Sequence, residues 1–390
     1  MKKFFLGFMM LAATTVATTF VACNNDDDNN DSNEAYELSG SITGTKELDA
    51  SVEYFLTGPL IVEDGGVLDI PAGTVIKARK GFSNYILVLQ GGKIYVRGTA
   101  EKPVTLTADT EDAEQGHWGG LIINGKAPLA GGTTGSTEIN SAYTYGGTVA
   151  ADNSGEITYL ILAYTGARSS ADVEHNGLTL NGVGSGTKIE NVFIPNGADD
   201  GIEFFGGSVN VKNLLVVNSD DDMFDFTQGY TGTLENAYGI WETGYTSSES
   251  DPRGIEADGN FDGNFPTHAA QSDFTVKNVT FDLRLAASTD TKSQMQDVIK
   301  IRRGAKATVI NALVKGVGTA IDLIDLNDGK GAGDVDSNIS LTNSLSSAYT
   351  GKDINPGKLD DVTLSYPNVK IESGNTGCST DIFAWTGYAF

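Results

Sequence analysis

The sequence predicts an all-β chain wound as a right-handed parallel β-helix, a solenoid built from coils of about 22 residues. A segment repeats at a fixed offset, the apolar pieces are short and β-branched, and glycine is plentiful at 48 residues while proline is scarce at 9. The offset is plainest between Ile189-Glu190-Asn191 and Val211-Lys212-Asn213, whose asparagines are 22 residues apart. Carried forward, it aligns Asn196 with Asn218, Asp199 with Asp221, Asp200 with Asp222, Ile202 with Phe224, Glu203 with Asp225, Phe204 with Phe226 and Gly207 with Gly229. With insertions, the apolar-x-Asn signature returns at Leu234-Glu235-Asn236, Val276-Lys277-Asn278, Val309-Ile310-Asn311 and Leu341-Thr342-Asn343.

Val192-Phe193-Ile194 and Leu214-Leu215-Val216-Val217 are strand-sized, and no long apolar pattern of helical period competes with them. A single coil cannot bury its own apolar face, so coils must stack with strands about 4.8 Å apart. An asparagine at one point of every coil then predicts a ladder of side-chain amides at a turn. Asn260, outside this pattern, is expected at the surface.

Lys2 and Lys3, an apolar run from Phe4 to Val21, and Ala22 before Cys23 have the order of a secretory signal. Phe20-Val21-Ala22-Cys23 resembles a bacterial lipobox, which implies cleavage before Cys23 and acylation of that cysteine. Each buried CH₂ of an acyl chain contributes about 0.8 kcal/mol, so several chains anchor stably where one is marginal. Asn24 to Asn33 holds Asp26, Asp27, Asp28 and Asp31 and no apolar residue, the composition of a solvated tether. An acidic cluster directly after the lipid cysteine also resembles the surface-export signal of Bacteroidetes lipoproteins. The expected organisation is a signal peptide over 1–22, an acylated Cys23 with an acidic tether over 23–36, and one β-helix domain with terminal caps over 37–390. The lipid anchor makes the outer membrane a partner, with the domain facing outward.

The formal charge of −25 argues against nucleic acid, and losing Lys2 and Lys3 makes the balance more acidic still. With Cys23 acylated, Cys378 has no disulfide partner, so a large core must hold the fold. Open ends of a solenoid expose strand edges. The region before Gly66 and the aromatic tail Phe383-Ala384-Trp385-Thr386-Gly387-Tyr388-Ala389-Phe390 are the expected caps.

Opening coils such as Gly66-Val67-Leu68-Asp69-Ile70-Pro71 and Ile86-Leu87-Val88-Leu89-Gln90-Gly91-Gly92 share this style. Through them, and through Trp118-Gly119-Gly120-Leu121-Ile122-Ile123-Asn124-Gly125, Gly182-Val183-Gly184-Ser185-Gly186-Thr187, Asp199-Asp200-Gly201-Ile202-Glu203-Phe204-Phe205-Gly206-Gly207 and Gly254-Ile255-Glu256-Ala257-Asp258, the chain resembles a family of Bacteroidetes β-helix lipoproteins and secreted proteins. The resemblance runs from about Leu38 to the C-terminus. It implies the β-helix fold and no particular activity.

Aligned coils bring together Asp200-Gly201-Ile202-Glu203, Asp222-Met223-Phe224-Asp225, Arg253-Gly254-Ile255-Glu256, Asp297-Val298-Ile299-Lys300 and Thr319-Ala320-Ile321-Asp322. Strand alternation sends Ile202, Phe224, Ile255, Ile299 and Ile321 inward and Glu203, Asp225, Glu256, Lys300 and Asp322 outward in one column. Stacked like charges repel. The column therefore invites a cation, a raised pKa or salt bridges from Arg253, Lys300, Arg302 and Arg303. Three uses stay open: an ordinary solvated face, a hard cation such as Ca²⁺ held by Asp200, Glu203, Asp222, Asp225 and Glu256, or acid–base catalysis.

Longer spacings from Asn236 to Glu256 and from Asn278 to Lys300 predict loops around Glu242 to Asp251 and Asp282 to Gln296, placed to wall a groove. Trp241 and Tyr245 enter the first loop, where aromatic faces suit sugar rings, although core packing of Trp241 is an equal alternative. Asp325-Leu326-Asn327-Asp328-Gly329-Lys330-Gly331 places its glycine at the fifth position and so fits an EF-hand loop poorly. His117, His175 and His268 fall at unrelated points of the repeat, against a serine-hydrolase triad, and no zinc or nucleotide motif is present.

The expected function is a non-catalytic surface lipoprotein that binds an extracellular ligand, glycan first, through Trp241, Tyr245, Arg253, Lys300 and Arg302. The alternatives are a polysaccharide lyase or glycosidase using Glu203, Asp225 or Glu256 with Lys300 or Arg302, and a structural or adhesion protein of the envelope.

Overall fold

The computed structural model describes residues 36–170, 173–288, 294–318, 321–349 and 351–390. Cys23 and nearly all of the tether lie outside the described residues, as do Thr319 and Ala320. From Tyr36 onward the chain winds into the parallel β-helix. Its main sheet is 24-stranded and parallel in every ladder. Antiparallel pairing among the described residues is confined to the hairpins Gly135–Thr137 with Asn140–Tyr145 and Lys358–Leu359 with Val362–Thr363 and to isolated bridges between Ser170 and Val173 and between Arg302 and Ala332.

A regular coil has one long strand, bent at its asparagine, and one short strand. The long strands Lys188–Pro195, Asn210–Val217, Thr233–Trp241, Asp273–Leu283 and Lys306–Gly316 stack in order. At their corners Asn191, Asn213, Asn236, Asn278 and Asn311 all have φ between 55° and 61°. Asparagine visits this left-handed region more readily than β-branched residues do. Each Nδ2 donates to the Oδ1 of the asparagine one coil earlier at 2.9 Å, from Asn213 to Asn191 through to Asn311 to Asn278. A shorter ladder runs from Asn196 to Asn218, whose Nδ2 also reaches Glu242.

The predicted ladder ends one coil early. A register shift between Val309 and Ala312 sets Asn343 opposite Val314, and Asn343 turns to the Tyr349 hydroxyl. The Asn311 amide bonds instead to Gly377 O at 3.2 Å, part of the C-terminal tail. Asn260 is another correction: it is fully buried and ties Gln271, Arg303 and Phe265 together.

The core is continuous along the axis and closes with stacked rings. Phe204, Phe226 and Phe274 lie 5.0 and 4.2 Å apart between successive centroids. The region before Gly66 serves as the first coil, with Tyr36–Ile42 paired to Tyr54–Val62. The aromatic tail does not cap the far end. It runs back along the outside of the middle coils, where Phe383 is buried among Phe193, Leu215, Val217, Tyr238 and Ile240. Trp385 meets Tyr159 edge-on, and the Tyr388 hydroxyl donates to Glu242. Outward apolar residues on those strands supply the reason: they need cover that the solenoid interior cannot give. Cys378, a free buried thiol, belongs to this strap.

Replacing Asn213 with Leu removes its bonds to both neighbouring corners and places a γ-branched residue in the left-handed region, so stability should fall by about 1 to 3 kcal/mol. Exposed Asn264→Leu is the control. Equal midpoints for the two variants in denaturant unfolding would contradict the structural role of the ladder.

Candidate functional site

The short strands Leu178–Asn181, Ile202–Phe205, Phe224–Thr227, Arg253–Asp258, Asp297–Arg302 and Asp322–Asp325 stack into the sheet that carries the acidic residues. Their register places Thr179, Glu203, Asp225, Glu256, Lys300 and Asp325 above one another. A second column, at the residues entering the strands, stacks Arg253, Asp297 and Asp322 beneath Asp200 and Asp222. Here Asp200 Oδ1 accepts the Asp222 N–H at 2.9 Å, and Asp222 Oδ1 accepts the Arg253 N–H at 2.7 Å. These aspartates therefore tie coil to coil as well as carrying charge.

Two expectations about the columns need correction. Asp322 pairs with Asp297, while Asp325 follows Lys300, because Ile324 and not Ile321 continues the inward row. The outward carboxylates also do not form a solvated face: Glu203 is 8%, Asp225 9% and Glu256 8% exposed. Surface segments fold over them. The Gly135–Thr137 and Asn140–Tyr145 hairpin brings Thr137, Glu138, Ile139 and Tyr145 to a narrow cavity shared with Glu174, Thr179, Asn181 and Phe205. The loop after Glu242 lies down on its coil, with Ser248 N–H donating to Asp220 Oδ1 at 2.7 Å and the Ser247 hydroxyl to Asp220 O.

That collapse removes the expected aromatic platform. Trp241 is fully buried in the core, its indole N–H bonded to Ser219 O at 3.1 Å. Tyr245 packs on it at 5.1 Å and sends its hydroxyl to Ser219 O and Asp220. An apolar cluster has claimed both rings, so neither offers a free face to a sugar. Part of the second expected loop, 289–293, lies outside the described residues.

The basic residues sort the column into two halves. Arg253 pairs with Asp251, Glu256 and Asp297, and Arg302 with Glu256 and Asp258. Lys300 Nζ donates to Asp325 Oδ2 at 2.6 Å and to Asn327 O at 2.9 Å. Arg303 joins Asp258, Asp262 and Asp328. All of these lie at Glu256 or beyond. Around Asp200, Glu203, Asp222 and Asp225 the hydrogen-bond donors among the described residues are neutral, chiefly Asn176, whose Nδ2 donates to Glu203 Oε2 at 2.6 Å. Arg168 belongs to the flank, bound to Glu174, Asp220 and Glu249.

Burial, reinforced by neighbouring carboxylates, holds the Asp200, Glu203, Asp222 and Asp225 carboxyls well above the usual carboxylate range. The same causes push Asp221 up to about 7, and burial raises Asp297 to about 6. Asp225 Oδ1 is buried with no hydrogen-bond partner. Oxygens from Asp200, Glu203 and Asp225 lie within 4.8 Å of one another, as do those from Asp222, Asp225 and Glu256, with Asp225 common to both groups. Ligands about 2.3 to 2.6 Å from one ion are at most about 5 Å apart, so each set fits a hard cation.

Asn176 was missed in the sequence, yet a signal existed. Asn176-Gly177-Leu178-Thr179 is the repeat before Asp200-Gly201-Ile202-Glu203, with polar residues replacing the acids. His117 and His175 are structural: His117 bonds Asp109, and burial pushes His175 down to about 4 beside Phe82 and Tyr85.

Residues 40–388 match the pectate-lyase like beta helix domain. The chain belongs to that family. No curated protein matches the sequence significantly. Among solved structures, pectate lyase Pel9A aligns at 12% identity over 82% of this chain and 82% of its own, with a TM-score of 0.40. The catalytic domain of a GH87 alpha-1,3-glucanase in complex with nigerose aligns at 11% identity over 87% of this chain and 64% of its own, with a TM-score of 0.32. Both are likenesses of fold alone. In this member of the pectate-lyase-like family, the acidic columns are the most concentrated set of titratable groups among the described residues.

The raised carboxyls give a signed pH dependence. An unfolded carboxyl loses its proton near pH 4, whereas the folded column keeps protons toward pH 7, so without divalent cations stability should fall as pH rises from about 4 to 7. His175 acts oppositely: its folded pKa is depressed, so its contribution is lost as pH falls from about 6.5 to 4. Denaturant titrations in chelator, comparing His175→Phe with the parent, separate the two. A His175→Phe variant whose stability is flat or rises between pH 4.5 and 7 would contradict the proton-holding column.

Proposed function

We propose that this chain is a cation-loaded, non-catalytic glycan-binding β-helix carried on the outer membrane by a lipid at Cys23. The observation that carries the cation is the division of the column: built-in Arg253, Lys300 and Arg302 pair with acids from the Glu256 coil onward, while Asp200, Glu203, Asp222 and Asp225 are equally buried without an ion pair among the described residues, Arg253 and Arg302 acting on Asp222 and Asp225 only at longer range. Burying unpaired carboxylates costs several kcal/mol each. A divalent ion, calcium first, supplies for the upper coils what Lys300 supplies below. Membership of a family named for a polysaccharide-cleaving enzyme supports a carbohydrate ligand.

Lys300, Arg253 and Arg302 serve here as internal counter-ions rather than as ligand contacts. This same engagement counts against their use as catalytic bases. A second reading rests on Glu203 and Asp225, set side by side in register on adjacent strands with raised pKa values, the juxtaposition that an acid–base couple requires. Purified protein incubated with polysaccharides should bind without generating reducing or unsaturated ends. Turnover abolished by Glu203→Gln would replace the binding role with an enzymatic one.

Calcium at one hundred times its dissociation constant should stabilise the fold by about 2.7 kcal/mol if it binds the folded state alone. Asp225→Asn should shrink that gain, and Asp361→Asn, on an exposed hairpin turn, should leave it intact. Melting curves indifferent to calcium and chelator in the parent protein would dismiss the ion.

For the anchor, Cys23→Ala should release the protein from the membrane fraction. Protease added to intact cells should digest the parent; protection alongside digestion of known surface proteins would place the domain on the inner side.

A further inference from the structure

The loop after Arg253–Asp258 carries an aromatic surface that no part of the fold requires. Phe265 is 45% exposed, although hydrogen bonds hold its loop. Its ring stacks on His268 with centroids 4.6 Å apart and planes 11° from parallel, and Phe261 meets it edge-on at 6.0 Å. The backbone beneath is pinned. Phe265 N–H donates to Oδ1 of fully buried Asn260 at 3.0 Å, and Gln271 Nε2 donates to His268 O at 2.8 Å. A loop built only to cover the coil would turn its largest ring inward, as Phe261 does against Leu129, Tyr145 and Phe205.

Its location is continuous with the acidic columns. Phe205 lies two residues beyond Glu203 on the same strand face, and Phe261 bridges from it to Phe265. The loop is also fastened to the column's cationic half, since Asp262 pairs with Arg303 and with Lys330. An exposed ring in a loop that also carries the exposed Asp262–Lys330 pair offers a pyranose what it needs: a flat apolar surface for its C–H face and partners for its hydroxyls.

We infer that Phe265, supported by His268, is a stacking subsite for a pyranose ring of the bound glycan, with Asp262 and Lys330 available to its hydroxyls. This rests on the glycan-binding reading and supplies the aromatic contact that buried Trp241 and Tyr245 do not. Only the ring's exposed face is used, so binding needs no rearrangement of the loop.

The test is an array of pyranose hexasaccharides, neutral and uronate, probed with the full chain in calcium. Phe265→Ala should weaken binding about tenfold or more, Phe265→Trp should retain it, and Leu359→Ala, exposed on the hairpin of Lys358–Leu359 and Val362–Thr363, should leave it unchanged. Phe265→Ala also gives up the ring's contacts with His268 and Phe261, so its melting temperature should fall slightly, while the variant stays folded at the temperature of the binding assay. If Phe265→Ala binds as tightly as the parent, the subsite is overturned while glycan binding stands. If the parent binds no pyranose on the array, both fall. Binding that survives chelator and Asp225→Asn but is lost in Phe265→Ala supports the subsite and removes the ion from recognition.

Discussion

Parallel stacking in fixed register is the constraint from which the other features of this chain follow. Each coil places its residues directly over their counterparts in the previous coil, so any residue type favoured at one position becomes a column. For asparagine the consequence is favourable, because an amide both donates and accepts and can bond above and below at once. For phenylalanine it is also favourable, as the core rings show. For carboxylates it is costly, since stacking sets like charges together where overlying loops exclude water.

The molecule meets that cost differently along its axis. At Lys300 the register itself substitutes an ammonium for a carboxylate between Glu256 and Asp325. At Arg253 the substitution occurs in the neighbouring column, and the guanidinium reaches three acids. Above these coils the backbone uses Asp200 and Asp222 as inter-coil acceptors, a structural role that consumes one oxygen of each and leaves their charge. A bound cation and a set of retained protons are competing answers to the same electrostatic problem, which is why metal content and pH belong to one account.

Much of this was legible in the sequence because repetition is a strong signal. The coil length, the ladder from Asn191 to Asn311, the inward row Ile202, Phe224, Ile255 and Ile299, and the stacking of Glu203, Asp225 and Glu256 could all be read by alignment of the chain with itself. The alignment failed where insertions let the frame slide, moving Asp325 into the place expected for Asp322 and dropping Asn343 from the ladder. Burial was less legible still. Nothing local says that Trp241 turns inward, that Asn260 is enclosed by Gln271 and Arg303, or that the last residues run back over Leu215 and Tyr238. Those outcomes depend on which apolar surfaces remain after the coils have stacked, a property of the assembled solenoid rather than of any segment.

The central claim is that one face of a stacked sheet holds its uncompensated carboxylates around an ion. Crystals soaked in terbium, a calcium substitute with strong anomalous scattering, locate such an ion without reference to activity or stability. The account predicts a peak about 2.3 to 2.6 Å from carboxylate oxygens of Asp225 and its neighbours Asp200, Glu203, Asp222 or Glu256. It predicts none among Asp297, Asp322 and Asp325, where Lys300 already stands. A map with no peak at Asp225, or with its strongest protein-bound peak beside Lys300, would contradict it.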